Sequence, residues 1–278
     1  MEIRSLSGVP LNTIAACFNE AFAGYFVTMQ VTADYLQHRW YGARVDYNRS
    51  WGAFDDDQLV GFVIFAIDER DGIFTAHNAA TGVLPAYRNQ SLIQRIYAVA
   101  IPVFRHDGVH LLTLEVITEN IRAIKLYQSL GYRIDRLLYC YQGPIILPGT
   151  IAHSFHIRQH KDVLTLLNAP LNSYYFSWEN DRKTLLRMAG DYECWQLEED
   201  DQLKAFVIMN PANGYMIQYG FETGHINKYG SALLQEIGKH YLSVRITNLD
   251  SQYSDVKALF DKCGLTRHIN QFEMTMSL

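Results

Sequence analysis

Strand-like and helix-like hydrophobic patterns alternate along the chain. The stretch Phe74 to Val83 reads as a strand that ends before Pro85, and the polar turn 86–91 follows it. From Leu92, apolar side chains recur three and four positions apart, which predicts a helix with one buried face. The first backbone N–H groups of a helix have no partners within it, and the helix dipole adds positive potential there. The turn is therefore a candidate phosphate site, although most β–α turns bind no ligand.

The other patterns of the first half predict one α/β (α+β) domain. Helices come first, an antiparallel meander follows, and a strand–helix–strand–helix run closes the order, which is typical of a mixed, mostly antiparallel sheet flanked by helices. Besides those already described, the predicted elements are a strand at 2–5, helices from Pro10 and over Ala33 to Trp40, strands at 50–54, 59–67 and 111–116, and a helix after Asn120.

The second half repeats this order. Its predicted elements are a helix at 181–188, strands at 192–197, 203–209 and 215–221, a helix at 229–240, a strand at 242–246, a helix at 254–262 and a final strand pair. Two prolines and two glycines interrupt the pattern between Gln142 and Gly149, which indicates a domain boundary. We therefore predict a first domain at 1–143, a linker at 144–149 and a second domain at 150–278.

Composition narrows the functional classes. The chain has 278 residues, 49% of them hydrophobic, and a formal net charge of −5. This charge argues against a general nucleic-acid binder. No run approaches the roughly 20 apolar residues of a membrane span, and no signal-peptide pattern is seen. The four scattered cysteines contain no CxxC pair, which predicts reduced thiols, a cytoplasmic protein and no metal site.

Three motifs in the first half carry a family resemblance. They are V-x-P-x-Y-R from Val83 to Arg88, L-E-V at 114–116, and N-x-x-A-x-x-L-Y-x-x-L-G-Y from Asn120 to Tyr132. In this order and at this distance they resemble the GNAT superfamily of N-acetyltransferases, over roughly residues 1–143. The resemblance implies transfer of an acetyl group from acetyl-CoA to a primary amine of a small molecule. Most members use direct attack in a ternary complex, without a metal.

The resemblance also implies a cofactor site. Family members usually show R/Q-x-x-G-x-G/A at 88–93; Arg88 matches, whereas Ser91 and Ile93 replace the two glycines. The branched side chain of Ile93 is expected to obstruct the phosphates. Asn120 matches a cofactor contact, and its alternative role is a helix cap. The implied cofactor-binding residues are Thr81, Gly82, Val83, Arg88, Asn89, Gln90, Ser91, Leu92, Ile93, Gln94 and Asn120.

Three residues are candidates for catalysis. The tyrosine of the L-Y-x-x-L-G motif, Tyr127 here, commonly points its hydroxyl at the CoA sulfur and would protonate the departing thiolate; its alternative is a core aromatic residue. His77, on the central strand, is a candidate base that titrates near neutral pH, and its alternative is a structural role. Glu115 is the second candidate base, or a binder of the acceptor ammonium. The aromatic segment Ala21 to Phe26 lies where the family commonly forms its acceptor pocket.

The second half echoes the motifs weakly. Leu259 to Leu265 follows L-Y-x-x-L-G-Y with Phe260 in place of the tyrosine, and His225 to Gly230 keeps only the last glycine of the phosphate motif. Because phenylalanine cannot donate a proton, we predict a degenerate GNAT-like domain without chemistry of its own. This domain would wall off the acceptor pocket or mediate homodimerisation. The tandem form is typical of bacterial proteins.

Two functional hypotheses follow. The first is an N-acetyltransferase that uses Tyr127 and either His77 or Glu115. The second is a catalytically weak or inactive module that binds acyl-CoA or a protein partner. Intact Arg88, Asn120 and Tyr127 favour the first, and the replaced glycines favour the second.

Overall fold

The computed structural model describes residues 1–26, 30–147, 155–171 and 174–278. The chain folds into two compact units. The first unit comprises Met1–Asp135 with Glu273–Leu278, and the second comprises Arg136–Phe272.

The first unit contains four helices and five complete strands in its described residues. In chain order they are β1 (Glu2–Ser5), α1 (Leu11–Ala21), α2 (Ala33–Ala43), β2 (Trp51–Asp55), β3 (Gln58–Arg70), β4 (Ile73–Val83), α3 (Leu92–His106), β5 (Leu111–Ile117) and α4 (Ile121–Leu130). Strands β1 to β4 pair antiparallel in sequence order, and β4 pairs parallel with β5. The sheet is therefore mixed and mostly antiparallel.

Strands β4 and β5 part before β4 ends. Over these fully described strands, the pairs run from Thr75–Leu111 to Asn78–Leu114. A register shift lies next to this point, because Phe65 opposes Asn78 while Ile64 opposes Ala80. The extra residue on β4 is a β-bulge, which bends a strand and redirects its side chains. Beyond the bulge, the end of β4 turns away from β5 and opens the sheet beside the polar turn.

The second unit repeats this arrangement. In chain order its elements are β6 (Arg133–Gly143), β7 (His156–His160), α5 (Arg182–Met188), β8 (Glu193–Glu199), β9 (Gln202–Asn210), β10 (Tyr215–Phe221), α6 (Ile226–His240), β11 (Val244–Asp250), α7 (Ser254–Lys262) and β12 (Thr266–Ser277). Strands β7 to β10 pair antiparallel in order, β10 pairs parallel with β11, and β11 pairs antiparallel with β6. Most of β12 belongs to this unit, and its last residues, from Glu273, belong to the first.

The predicted fold class, two tandem units with a mixed sheet and flanking helices, is confirmed. One prediction is wrong, since the final strand pair is the single long strand β12. Helix α6 also begins at Ile226 rather than at 229. The sequence places the linker at 144–149, of which 148–149 lie outside the described residues. In the structure, the boundary between the first and the second compact unit lies between Asp135 and Arg136. In the described parts of the chain, no helix combines the length and apolarity needed to cross a membrane.

Candidate active site

A cleft of about 600 Å³ in the first unit runs along the end of β4 and the starts of α3 and α4. Every residue that the sequence assigned to the cofactor lines it: Thr81, Gly82, Val83, the whole run 88–94 and Asn120. The first hydrogen bond inside α3 runs from the Arg95 N–H to the Ser91 carbonyl, at 3.0 Å. The N–H groups of residues 92–94 therefore precede the helix ladder and face no carbonyl within the helix. This arrangement suits a phosphate group.

The loop before α3 has an unusual backbone. Asn89 has φ of 65° and Ser91 has φ of 55°, so both lie in the left-handed region. Asparagine tolerates this region, but a serine there is strained, and glycine is the residue that adopts it without cost. The Ser91 side chain makes no capping hydrogen bond. The chain thus keeps a glycine-like conformation at the position where the motif has its first glycine.

The expected obstruction by Ile93 is not what the structure shows. Ile93 borders the cleft, but only 5% of its surface is exposed, because it lies on the buried face of α3 with Leu92 and Ile96. Its side chain therefore presents little surface to a ligand. At Gly82, by contrast, packing leaves no room for a larger side chain, since a Cβ atom there would lie 2.7 Å from the Phe62 ring.

Arg88 contributes to the cleft through hydrogen bonds to backbone carbonyls. Its Nη2 donates to the Ala21 carbonyl at 2.9 Å, and its Nε donates to the Val83 carbonyl at 3.4 Å. The guanidinium therefore ties the C-terminal end of α1 to the end of β4. Through these two bonds Arg88 shapes the wall of the cleft.

Sequence reasoning missed two cations that line the cleft. Arg122 and Lys125 lie on the exposed face of α4, three residues apart, and Arg122 donates to Asn89 Oδ1 at 2.7 Å. They place positive charge opposite the N-terminal end of α3, where a polyanionic ligand would benefit. The available signal was the spacing of these two basic residues directly after Asn120.

We expect Ser91→Gly to raise the free energy of unfolding by about 0.5–1 kcal/mol. The left-handed conformation costs a non-glycine residue roughly 1–2 kcal/mol, and Ser91→Gly removes this cost. Glycine has more conformational freedom in the unfolded chain, which offsets part of the gain in stability. Urea unfolding would measure the difference. Asn89→Gly is the matched control and should gain less, because asparagine tolerates positive φ. A loss of stability in Ser91→Gly would contradict the strain.

A second cavity, of about 220 Å³, adjoins the cleft. The two share six lining residues: Phe22, Tyr25, Thr81, Asn120, Ala123 and Leu126. Tyr127 lines the second cavity and is 7% exposed. Burial raises the pKa of Tyr127 to about 12, although hydrogen bonding to Thr81 and Asn78 acts in the opposite direction. The Tyr127 hydroxyl therefore keeps its proton at neutral pH, as a proton donor must.

A buried polar network supports this wall. The Asn78 side-chain amide donates to the Tyr97 hydroxyl at 2.9 Å and to Thr81 Oγ1 at 2.8 Å. The Tyr97 and Tyr132 hydroxyls lie 3.1 Å apart. Buried polar groups that satisfy one another fix their side chains in place. Thr81, which borders both the cleft and the cavity, is held by this network.

Asn120 has the alternative role that the sequence left open, that of a helix cap, and it also lines the cleft. Its Oδ1 accepts the Ala123 N–H at 3.1 Å, so the residue caps α4. Its Nδ2 donates to the Tyr25 hydroxyl at 3.3 Å. Tyr25 belongs to the aromatic segment predicted to border the acceptor pocket, and it lines both spaces.

The geometry favours Glu115 over His77 as the base. Glu115 lines the second cavity, whereas His77 is 2% exposed and lies outside the described lining of both spaces. His77 Nδ1 lies 2.9 Å from Thr113 Oγ1, and its Nε2 lies 3.8 Å from Glu115 Oε2. Burial, and then the charges of nearby arginines, lower the pKa of His77 well below 6.5. His77 is therefore a neutral, buried neighbour of Glu115.

We expect His77→Gln to lower the free energy of unfolding by about 1–3 kcal/mol, because a buried polar contact with Thr113 is disturbed. The depressed pKa also means that the unfolded chain binds a proton here which the folded chain does not. Stability from this group is thus complete above about pH 6.5 and is lost as the pH falls below it. Urea unfolding at several pH values would measure both effects. The acid limb of the rate profile should persist in the variant; its disappearance would assign the base to His77.

The corresponding place in the second unit is built differently. Phe260 is fully buried. The Tyr175 N–H donates to the Tyr253 hydroxyl at 2.7 Å, and the Tyr174 ring lies 5.0 Å from Tyr253 and 5.6 Å from Tyr219. Aromatic side chains therefore fill the space between β10 and the start of α7.

Carboxylates lie near the start of α6. Glu199 accepts hydrogen bonds from Tyr229 and from Lys228, and these bonds lower its pKa. Glu222 pairs with Lys204 at 2.6 Å. Each of these carboxylates is paired with a lysine, so this end has no surplus positive charge like that of Arg122 and Lys125 in the first unit.

In the described part of the chain, no group of three or more histidine, cysteine, aspartate or glutamate side chains is placed to hold a metal ion.

Comparisons with known proteins agree with this geometry. Residues 14–132 match the model of the acetyltransferase (GNAT) family. N-alpha-acetyltransferase 30 of Schizosaccharomyces pombe is 26% identical over 108 residues, which are 38% of this chain and 68% of that protein. The GCN5-related N-acetyltransferase from Sphaerobacter thermophilus has a TM-score of 0.73 at 13% identity, over 99% of this chain and 95% of that one. A tandem GNAT protein from the clavulanic acid biosynthesis pathway has a TM-score of 0.69 at 13% identity, over 99% and 98% of the two chains.

Proposed function

We propose that the first unit transfers an acetyl group from acetyl-CoA to a primary amine of a small molecule, because residues 14–132 match the model of the acetyltransferase (GNAT) family. The single observation that carries this proposal is the junction of two spaces. A cleft with a helix start and two cations shares six lining residues with a cavity that Tyr127 and Glu115 also line. A donor and an acceptor could meet there in one ternary complex.

The residues of the cleft fit acetyl-CoA. The N–H groups of residues 92–94 would bind its pyrophosphate, and Arg122 and Lys125 would add charge pairing. The end of β4 at Thr81 to Val83 lines the cleft and would offer main-chain groups to the pantetheine arm, because this part of β4 has parted from β5. Acetyl-CoA itself supplies the activated acetyl group and the thiolate that leaves.

The acceptor amine must be uncharged to attack, because an ammonium group has no lone pair. We assign Glu115 to accept the first proton of the ammonium group, directly or through water, which frees the lone pair of the nitrogen. The second proton would leave the nitrogen to water once the nitrogen–carbon bond has formed. As the nitrogen–carbon bond forms and the carbon–sulfur bond breaks, the Tyr127 hydroxyl would donate its proton to the sulfur. Exchange with solvent then restores the proton of Tyr127 and removes that of Glu115, so each turnover leaves both groups unchanged.

Calorimetric titration of acetyl-CoA into the full chain tests the donor site. We expect micromolar affinity and a stoichiometry near one, since aromatic side chains fill the space between β10 and the start of α7 in the second unit. Ser91→Asp should abolish this binding, because it places a negative charge at the N-terminal end of α3. Asp255→Ser, an exposed position in the second unit, serves as a control and should bind as the wild type does.

Two outcomes would contradict the proposal. Absence of acetyl-CoA binding would show that the strained loop excludes the donor. Binding without acetyl transfer to any of a broad panel of amines would leave a module that binds acyl-CoA. A stoichiometry near two, half of it retained in Ser91→Asp, would instead assign a second donor site to the second unit.

A further inference from the structure

We infer that the acceptor is a free α-amino acid with an apolar side chain, an inference that rests on the proposed function. The 220 Å³ cavity is lined by two side chains of opposite charge, Glu115 and Arg39. A ligand that carries one ammonium and one carboxylate group complements both of them. A simple amine complements only Glu115.

The cavity has a volume of only about 220 Å³, so the two charged side chains that line it leave little room between them. The ammonium and carboxylate groups of the ligand must therefore be close together. An α-amino acid, in which a single carbon atom bears both groups, meets this requirement better than a long ω-amino acid does.

Arginine binds carboxylates well because its planar guanidinium offers two parallel N–H donors. We assign the carboxylate of the ligand to Arg39, while its amine faces Glu115.

The rest of the wall is apolar and aromatic. Phe18 and Phe22 stack with ring centroids 4.4 Å apart, Tyr25 meets Phe22 edge-on at 5.0 Å, and Trp40 completes the wall. Such a surface gains free energy by covering an apolar side chain. The volume lies below the roughly 300–1,000 Å³ of common ligand pockets, which favours a single residue over a peptide.

The test compares three acceptors that share one side chain: L-leucine, L-leucinamide and isopentylamine. Thiol release from acetyl-CoA by the full chain gives kcat/KM for each. We expect leucine to exceed both others by at least about 10-fold. The ammonium group of leucinamide loses its proton more readily than that of leucine. Reactivity alone would therefore favour leucinamide over leucine. Equal or greater turnover of the amide or the amine would overturn the inference.

Variants assign the selectivity to Arg39. In Arg39→Gln, kcat/KM for leucine should fall by about 100-fold, mainly through KM, while the value for leucinamide stays within about 3-fold. Arg105→Gln, an exposed position on α3, is the matched control and should change neither. Calorimetric titration of leucine without acetyl-CoA should show the same loss in Arg39→Gln. A selectivity for leucine that survives in Arg39→Gln would overturn the assignment. Circular dichroism of Arg39→Gln would check that unfolding is not the cause of a loss of turnover.

Failure of this inference differs from failure of the proposed function. Turnover of other amines, with leucine inactive, would overturn the amino-acid inference and keep the acetyltransferase. Absence of turnover with every amine tested would overturn the proposed function itself.

Discussion

Tyr127→Phe should lower kcat by about 100-fold and leave the Kd for acetyl-CoA nearly unchanged. The substitution removes a single hydroxyl group from a side chain that lines the acceptor cavity but not the cofactor cleft. A positioned proton donor contributes typically about 10²–10⁴-fold to a rate. The lower end applies here, because water can also protonate a thiolate. Steady-state kinetics and calorimetric titration would measure the two quantities.

The matched control is Tyr132→Phe. Tyr132 is 2% exposed and its hydroxyl lies 3.1 Å from that of Tyr97, but it lines neither described space. This variant should lose stability and keep its turnover. An equal loss of binding and turnover in Tyr127→Phe would show that Tyr127 is a core aromatic residue.

The pH profile gives a second check on Tyr127. Because the pKa of Tyr127 is raised to about 12, its acidic form is present throughout the usual assay range. The rate should therefore show no decrease due to Tyr127 below about pH 11.

Glu115→Gln should lower kcat/KM for the amine by about 10²–10³-fold. Glutamine has nearly the same shape but cannot accept a proton at neutral pH, so the loss reports the base rather than the packing. Initial rates at saturating acetyl-CoA and varied amine concentration would show it.

The alternative role of Glu115, as a binder of the ammonium group, predicts a different result. KM for the amine would rise while kcat stays unchanged, because uniform binding is lost rather than transition-state stabilisation. Thr113→Val is a useful control, since it alters the contact of His77 with β5 and leaves the Glu115 carboxylate in place. An unchanged kcat/KM in Glu115→Gln would transfer the role of base to water.

Much of the fold and of the cofactor site could be predicted from the sequence, because the signals are local. The helix with Leu92, Ile96 and Ala100 on one face follows directly from spacing, and so does the position of its N-terminal end beside the polar turn. All residues assigned to the cofactor line one cleft because they lie in two short stretches and at one helix cap. The replacement of a tyrosine by Phe260 is likewise visible in the sequence alone.

The choice between His77 and Glu115 required the tertiary structure. Alternation along a strand shows which residues share a face, but it does not show where two strands part. His77 pairs with Thr113 inside the paired region, and Glu115 follows its last pair, where the cavity begins. Arg39 was missed for a related reason, because α2 brings it to this cavity from a distant part of the chain.

The sequence by itself determined the order of the elements, the family motifs and the chemical character of the helix start, since each depends on near neighbours in the chain. The tertiary structure alone decided the left-handed backbone of Ser91 and the assignment of the last residues of β12 to the first unit. The physical reason is that backbone hydrogen bonds between strands are the same for almost every residue. Strand partners, and the side chains that meet around a cavity, are therefore selected by packing across the whole unit.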